Sequence, residues 1–212
     1  ILAKNAVVID GTTGRILYGK NSEEKAAMAS TTKIMTCIVA LENSKMDSIA
    51  EVSDRAVKMP KVHMGIRKGE KYYMKDLLYA MMLESYNDVA VCVAENVAGS
   101  VENFAKLMNK KAKEIGAYNT NFVTPNGLDA ANHYSTAYDM AIIGAYAVKN
   151  KDFLKITNSK SYSFSNVEKK RNFTVSNKDA FLTMDNNAIG IKTGFTGKAG
   201  YCFVGAVNCS GR

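Results

Sequence analysis

The sequence predicts an α+β fold in which strands at both chain ends flank a helical interior. Three observations carry that prediction. Alternating apolar segments open and close the chain, the middle repeats apolar residues every 3.6 positions, and the run from Met74 to Gly99 is apolar nearly all round. A helix with no polar face is buried at the centre of a domain, and strands from both ends with helices between give one sheet and an inserted helical region. The chain has 212 residues, 47% hydrophobic and 23% charged. That suffices for a sizeable core and excludes disorder, collagen and coiled coil as descriptions of the whole.

Asn5-Ala-Val-Val-Ile-Asp10 reads as a strand, Asp10-Gly-Thr-Thr-Gly14 as a turn and Arg15-Ile-Leu-Tyr18 as the returning strand of a hairpin. Ile34, Ile38 and Leu41, with Met35 and Val39, mark a helix beginning near Ser30. The apolar run from Met74 is interrupted near Ser85. Phe104, Leu107, Met108 and Ala112 give another helix, stopped by Gly116. Thr124-Pro-Asn-Gly127 is a turn, and Ser135-Thr-Ala-Tyr-Asp139 caps a helix running to about Val148. Ser161–Ser165, Asn172–Ser176, Ala188–Lys192 and Gly200–Val207 then read as strands. We expect a single catalytic domain over 1–212, sheet-bearing over about 1–45 and 150–212 and helical over about 46–149.

Charge and cysteine content narrow the chemistry. Lys and Arg number 28 against 20 Asp and Glu, a net charge of +8. The basic clusters at Lys106–Lys113 and Lys169–Arg171 lack the interleaved aromatics of a single-strand binder, so they read as solvated surface and not as a nucleic-acid site. Cys37, Cys92, Cys202 and Cys209 form no C-x-x-C, and His63 and His133 are the only histidines; a His/Cys metal site is not expected. Cys37 and Cys92 read as core residues. Cys202 and Cys209, an odd number apart, would face opposite sides of a strand. The longest apolar stretches fall far short of the ~20 residues that span a bilayer.

Without a Cys/His pair, the search turns to a serine activated by lysine. On a helix, positions i and i+3 share a face, so S-x-x-K brings an amine to a hydroxyl. The pattern occurs at Ser22…Lys25 and Ser30…Lys33, with a threonine version at Thr157…Lys160. Only Ser30…Lys33 opens a strongly apolar helix, where free N–H groups stabilise negative charge and burial lowers a lysine pKa. The plainer alternative is that Ser30 only caps the helix and Lys33 reaches solvent. Ser85-Tyr-Asn87 places polar groups inside an apolar run, where they need partners or a function; its alternative is a polar helix corner. Lys192-Thr-Gly194, at the end of a strand, offers a cation, a hydroxyl and an approachable backbone edge; its alternative is an ordinary strand end.

The three triplets in this order match the S-x-x-K, S-x-N and K-T-G set of penicillin-binding proteins and class A β-lactamases. The sequence resembles the low-molecular-mass penicillin-binding proteins, the serine-type D-alanyl-D-alanine carboxypeptidases of peptidase family S11. The resemblance covers essentially the whole chain. It extends through Ala29-Ser-Thr-Thr-Lys-Ile-Met35, Asp76-Leu-Leu-Tyr79, Asn87-Asp-Val-Ala90, Asn126-Gly-Leu-Asp129, His133-Tyr-Ser-Thr-Ala137 and Ile191-Lys-Thr-Gly-Phe-Thr196, followed by Ala199-Gly200.

The resemblance implies a β-lactamase/transpeptidase-like fold and an acyl-enzyme mechanism without cofactor or metal. In it Ser30, Lys33 and Ser85 are catalytic, and Asn87, Lys192, Thr193 and Gly194 hold substrate. The backbone N–H groups of Ser30 and Phe195 form the oxyanion hole. The implied substrate is a peptidoglycan stem peptide ending in D-Ala-D-Ala, with β-lactams as covalent inhibitors and action outside the cytoplasmic membrane. A class A-like β-lactamase and an idle wall-binding module are the alternatives. Glu168 and Asn172 imitate a deacylating element but fall in the strand region and read as a charged β-turn. His133 is expected to pack or cap. Two departures stand out. Tyr86 occupies a position where small residues are usual, which would narrow the cleft. The chain also ends at Arg212, where related enzymes continue with a strand, a helix and often a β-rich domain and a membrane-associating tail, so the sequence reads as truncated.

Overall fold

The structure, a computed structural model, describes residues 2–209. It is α+β, as the patterning requires. A hairpin of β1 (Ala6–Ile9) and β2 (Ile16–Lys20) opens the chain. Its turn is held by Asp10, whose Oδ1 accepts the Thr12 and Thr13 N–H groups at 3.0 and 2.8 Å. A single 3-10 turn, Ala29–Thr32, leads into α1 (Lys33–Asn43). Every residue of α1 from Lys33 to Ala40 is buried.

Around α1 lie α3 (Met74–Glu84) and α4 (Asn87–Ala98), both buried along most of their length. The apolar run thus forms two helices, broken at Ser85, which adopts a left-handed φ of 68°. The amphipathic α5 (Val101–Glu114) lays Val101, Phe104, Ala105, Met108 and Ala112 on the core while Lys106, Lys110 and Lys113 stay exposed. Ser100 caps it by accepting the Asn103 N–H at 3.1 Å, and Thr136 caps α6 (Ala137–Ala147) through Asp139 at 3.0 Å.

Several short elements carried no clear sequence signal. They are the β3 (Ile49–Glu51) and β4 (Lys71–Tyr73) pair, the one-turn helix α2 (Asp54–Val57), α7 (Lys151–Thr157) and α8 (Phe181–Met184). Thr157 closes α7, its hydroxyl bonded to the Phe153 carbonyl at 3.1 Å, so Thr157…Lys160 is structural. β5 (Ser161–Ser165) and β6 (Asn172–Ser176) form a hairpin whose turn holds Glu168, ion-paired to Lys170 at 2.7 Å. Tyr162 of β5 stacks on Tyr79 at 3.8 Å and donates to the buried Asp76 at 2.7 Å, which fixes this hairpin to α3.

The last hairpin pairs β7 (Ala188–Thr196) with β8 (Gly200–Val207). Two expectations are corrected here. Lys192-Thr-Gly194 lies inside β7, not at its end, because the ladder continues through Phe195↔Tyr201 and Thr196↔Gly200. The terminal strands also do not join one sheet: among the described residues β1–β2 and β7–β8 are separate two-stranded ladders. They are joined through α6, which packs on both. A Cβ at Gly11 would meet Ala145, and one at Gly144 would lie 3.0 Å from Val204. Packing on a shared helix links the two hairpins without a hydrogen-bonded ladder between them among the described residues. Cys202 and Cys209 share no strand, since Cys209 lies beyond β8; all four cysteines are free.

Candidate active site

Lys33 is the centre of the site and is fully buried. Its Nζ lies 2.9 Å from Ser30 Oγ, 2.9 Å from Asn87 Oδ1 and 2.5 Å from the Asn126 carbonyl. Burial holds its pKa well below the usual lysine value; the nearby Lys192 pushes the same way, and Asp88 opposes them. Nζ donates to Asn87 Oδ1 and to the Asn126 carbonyl, and its third contact is the Ser30 hydroxyl. Both plainer alternatives therefore fail: Lys33 does not reach solvent, and the Ser30 hydroxyl meets the amine instead of capping backbone N–H groups.

Three further elements converge on this pair. Asn87 begins α4 and donates to the carbonyls of Pro60 and Lys61 at 3.3 and 3.2 Å. The neighbouring Asp88 gathers the N–H groups of Met64, Gly65 and Ile66. Segment 60–66 is thereby wrapped onto the helix start, and the Asn87 amide is fixed in orientation. Tyr86 packs half-buried against the core. Ser85 Oγ is buried with no hydrogen-bond partner. A non-glycine residue in the left-handed region together with an unsatisfied buried hydroxyl is costly, and such costs collect at functional sites.

The turn at Thr124–Gly127, recognised in the sequence only as a turn, supplies a wall of the site. Thr36 donates to the Pro125 carbonyl at 2.6 Å and Lys33 to that of Asn126. Gly127, at φ +85°, passes so near the Ala29–Thr32 turn that a Cβ would fall 2.0 Å from the Ala29 carbonyl oxygen. His133 is buried beneath this wall. Its Nδ1 accepts the Val123 N–H at 2.9 Å, so Nε2 carries the hydrogen and donates to Thr32 Oγ1 at 3.0 Å. Burial lowers its pKa to about 4. It packs and anchors, as its place before a helix suggests. The Asn126 carbonyl had no sequence signal of its own, because a backbone acceptor leaves no residue-type signature.

On the opposite side β7 passes the 3-10 turn. A Cβ on Gly194 would lie 2.8 Å from the Ser30 nitrogen, so glycine is what lets the strand approach. Lys192 is buried, and its Nζ donates to the Thr193 carbonyl at 2.9 Å. Burial lowers its pKa to about 8; Asp179 acts upward on it and Lys178 downward. Strand alternation sets Thr193 and Phe195 on the face opposite Lys192 and Gly194. The Phe195 ring is 58% exposed and sits 4.8 Å from that of Tyr201. The structure thus joins Ser30, Lys33 and Asn87 by direct hydrogen bonds and lays Gly194 against Ser30. Among the described residues no group of three His, Cys, Asp or Glu side chains could hold a metal.

A helical centre and a strand hairpin closing on a Ser–Lys pair is the architecture of the DD-peptidases. The structure superposes on the crystal structure of a D-alanyl-D-alanine carboxypeptidase from Mycobacterium tuberculosis with a TM-score of 0.93, at 31% identity over 99% of this chain and 79% of that one. It matches a mutant Streptomyces DD-transpeptidase equally well, with a TM-score of 0.93 and 30% identity over 100% of this chain and 87% of that one. In sequence, residues 1–211 match the D-alanyl-D-alanine carboxypeptidase family, peptidase S11. The D-alanyl-D-alanine carboxypeptidase DacF of Bacillus subtilis is 40% identical over 94% of this chain and 52% of its own length. The chain belongs to the S11 family. It spans about half the length of DacF and of the DacA of Haemophilus influenzae and DacC of Escherichia coli, curated relatives that it matches.

Proposed function

We propose that this chain is the catalytic part of a serine D-alanyl-D-alanine carboxypeptidase, which removes the last D-alanine from peptidoglycan stem peptides through an acyl-enzyme on Ser30. The observation that carries the reading is the Ser30–Lys33 contact at 2.9 Å, with the lysine fully buried and directed by Asn87 and the Asn126 carbonyl. An amine kept neutral by burial is a general base at working pH.

Lys33 takes the Ser30 proton as Oγ attacks the carbonyl between the two D-alanines. The negative oxygen is met by the backbone N–H groups of Ser30 and Phe195; removing one such donor raises a barrier by ~3 kcal/mol. Asn87 holds the substrate amide. Thr193, with the charge of Lys192 behind it, binds the terminal carboxylate, and Gly194 keeps the strand within reach of the nucleophile. As the C–N bond breaks, the departing amine takes the Ser85 hydroxyl proton and Lys192 replaces it; the proton left on Lys33 balances the step. Water then cleaves the ester. A β-lactam carries an equivalent amide and carboxylate and acylates the same oxygen. A substrate of this class places the site on the wall side of the cytoplasmic membrane; no helix among the described residues is long and apolar enough to cross it.

The test is incubation with a fluorescent penicillin, followed by mass spectrometry of the protein and amino-acid analysis of D-alanine released from a D-Ala-D-Ala peptide. A lasting adduct on Ser30 with D-alanine release is the expected result. Rapid penicillin turnover would make the chain a β-lactamase, and a folded protein forming no adduct would make it a binding module.

A further inference from the structure

Besides Ser30, the Lys33 amine meets the Asn87 side chain and the Asn126 carbonyl, and one segment holds on to both of those residues. The Asn126 side-chain amide donates to Met59 Sδ at 3.5 Å. The Asn87 backbone N–H donates to the Val62 carbonyl at 2.7 Å, and its side-chain amide donates to the carbonyls of Pro60 and Lys61 at 3.3 and 3.2 Å. Residues 60–63 are exposed, so their own burial does little to keep this backbone in place. What fixes it must lie further along the chain.

That anchor is Asp88, which is buried in the first turn of α4. Its Oδ1 accepts the Met64 N–H at 3.0 Å, and its Oδ2 accepts the Gly65 and Ile66 N–H groups at 2.9 and 3.3 Å. From the outer side Arg171 donates to the Gly65 carbonyl at 3.2 Å while paired with Glu70 at 2.8 Å. Three consecutive backbone N–H groups thus depend on one side chain, and removing it would leave them without their acceptor.

We propose that Asp88 is a positioning residue for acylation: by clamping residues 64–66 it holds the Pro60 and Lys61 carbonyls against Asn87, and so keeps the Asn87 amide with its oxygen on Lys33. This rests on the role given to Lys33 under the proposed function. The argument is a count of donors. A neutral amine has two N–H donors and one lone pair. Carbonyl oxygens only accept, so Asn87 Oδ1 and the Asn126 carbonyl take both donors and leave the lone pair to the Ser30 hydroxyl. With the amide turned over, its NH2 group would face the amine and compete with Ser30 for that lone pair. Its oxygen would then lie against two carbonyl oxygens, which repel it. The Pro60 and Lys61 carbonyls therefore decide which way Asn87 faces, and Asp88 decides where those carbonyls stand. Asp88 itself touches none of the reacting groups, since its oxygens are bonded to the N–H groups of Met64, Gly65, Ile66 and Val89.

The experiment measures acylation by saturating penicillin across pH in stopped flow, for the parent, Asp88→Asn and Arg171→Met. The Asn87 side-chain NH2 signals are followed alongside by NMR of 15N-labelled protein, assigned with N87D. Asp88→Asn keeps one acceptor oxygen and turns the other into a donor that faces a backbone N–H. Its acylation plateau is expected to fall about tenfold, and its Asn87 NH2 protons to exchange with water about tenfold faster. Arg171→Met loosens the same segment from outside and should lower the plateau about threefold with no shift along the pH axis. A D88N profile that slides along the pH axis at unchanged height makes Asp88 only a charge near Lys33 and overturns the proposal, as do unchanged Asn87 signals in folded D88N. If D88N does not fold, Arg171→Met decides: a lower plateau with altered Asn87 signals supports the proposal, and an unchanged plateau overturns it. A parent that never acylates refutes the proposed function, while Asn87 signals that loosen in D88N leave its orientation by Asp88 standing.

Discussion

The two lysines of the site are held in opposite ways. At the helical end, Lys33 has three partners within 2.9 Å, and one of them, Asn87, is itself held by the Pro60 and Lys61 carbonyls. At the strand end, Lys192 has one backbone partner, the Thr193 carbonyl. In the proposed mechanism the first arrangement would fix the base in one geometry before substrate arrives, which avoids reorganisation during reaction. The second leaves donor capacity open, as the carboxylate contact and proton transfer proposed for Lys192 would require. The tightly bonded and the sparsely bonded lysine thus sit on two elements that meet where Gly194 passes Ala29, Ser30 and Thr31.

Removing the base is the sharpest way to break that contrast. Lys33→Met should slow penicillin acylation about 10³-fold, and Lys33→Arg should not rescue it, because a permanently protonated group cannot accept the Ser30 proton; stopped-flow acylation with mass spectrometry measures both. Gly127→Ala attacks the wall of the rigid end. Its Cβ would meet the Ala29 carbonyl at 2.0 Å with φ at +85°. A cost of about 3 kcal/mol in urea unfolding is expected, with acylation slowed in whatever folds.

The rigid end should also fail in acid before the surface does. His133 has a folded pKa of about 4, below its unfolded value near 6.5. Between those values the unfolded chain takes up a proton that the native chain refuses, so stability is complete above pH 6.5 and falls as pH drops towards 4. The loss is about 3 kcal/mol from this group. In His133→Gln, stability at pH 7.5 should be lower but the decline between pH 6.5 and 4 shallower; urea melts across that range check the sign. The smallest effect is expected on the outer face of the β7–β8 hairpin. Phe203 is 52% exposed and touches Phe181 edge-on. Phe203→Ser should change stability by no more than about 1 kcal/mol, whereas Phe153→Ala, in the core, should cost about 4.

Much of this was legible in order along the chain. The apolar run from Met74 to Gly99 announced a buried centre, and its polar break at Ser85-Tyr-Asn87 announced a site, because polarity in such a run has to be compensated. The i, i+3 spacing alone brought Lys33 to Ser30. The short β3–β4 pair and the turns at α2 and α8 were not legible: three or four residues carry too little periodicity to register. Nor was the separation of the two terminal hairpins, since alternation marks a strand but not its neighbour. Lys192-Thr-Gly194 gave the right residues and the wrong place in the strand, because the ladder continues through Phe195 and Thr196 on backbone bonds that any residue type can make.

What the sequence determined by itself was local and periodic: which segments are helix or strand, which face is apolar, and that a hydroxyl and an amine share one helical turn. Those follow from backbone geometry within a few residues. Only the tertiary structure decided that the amine is buried, that a carbonyl 93 residues away accepts from it, and that Gly194 lets a distant strand reach Ser30. A lysine becomes a base through what surrounds it, and those surroundings exist only once segments far apart in the chain have closed around it and excluded water.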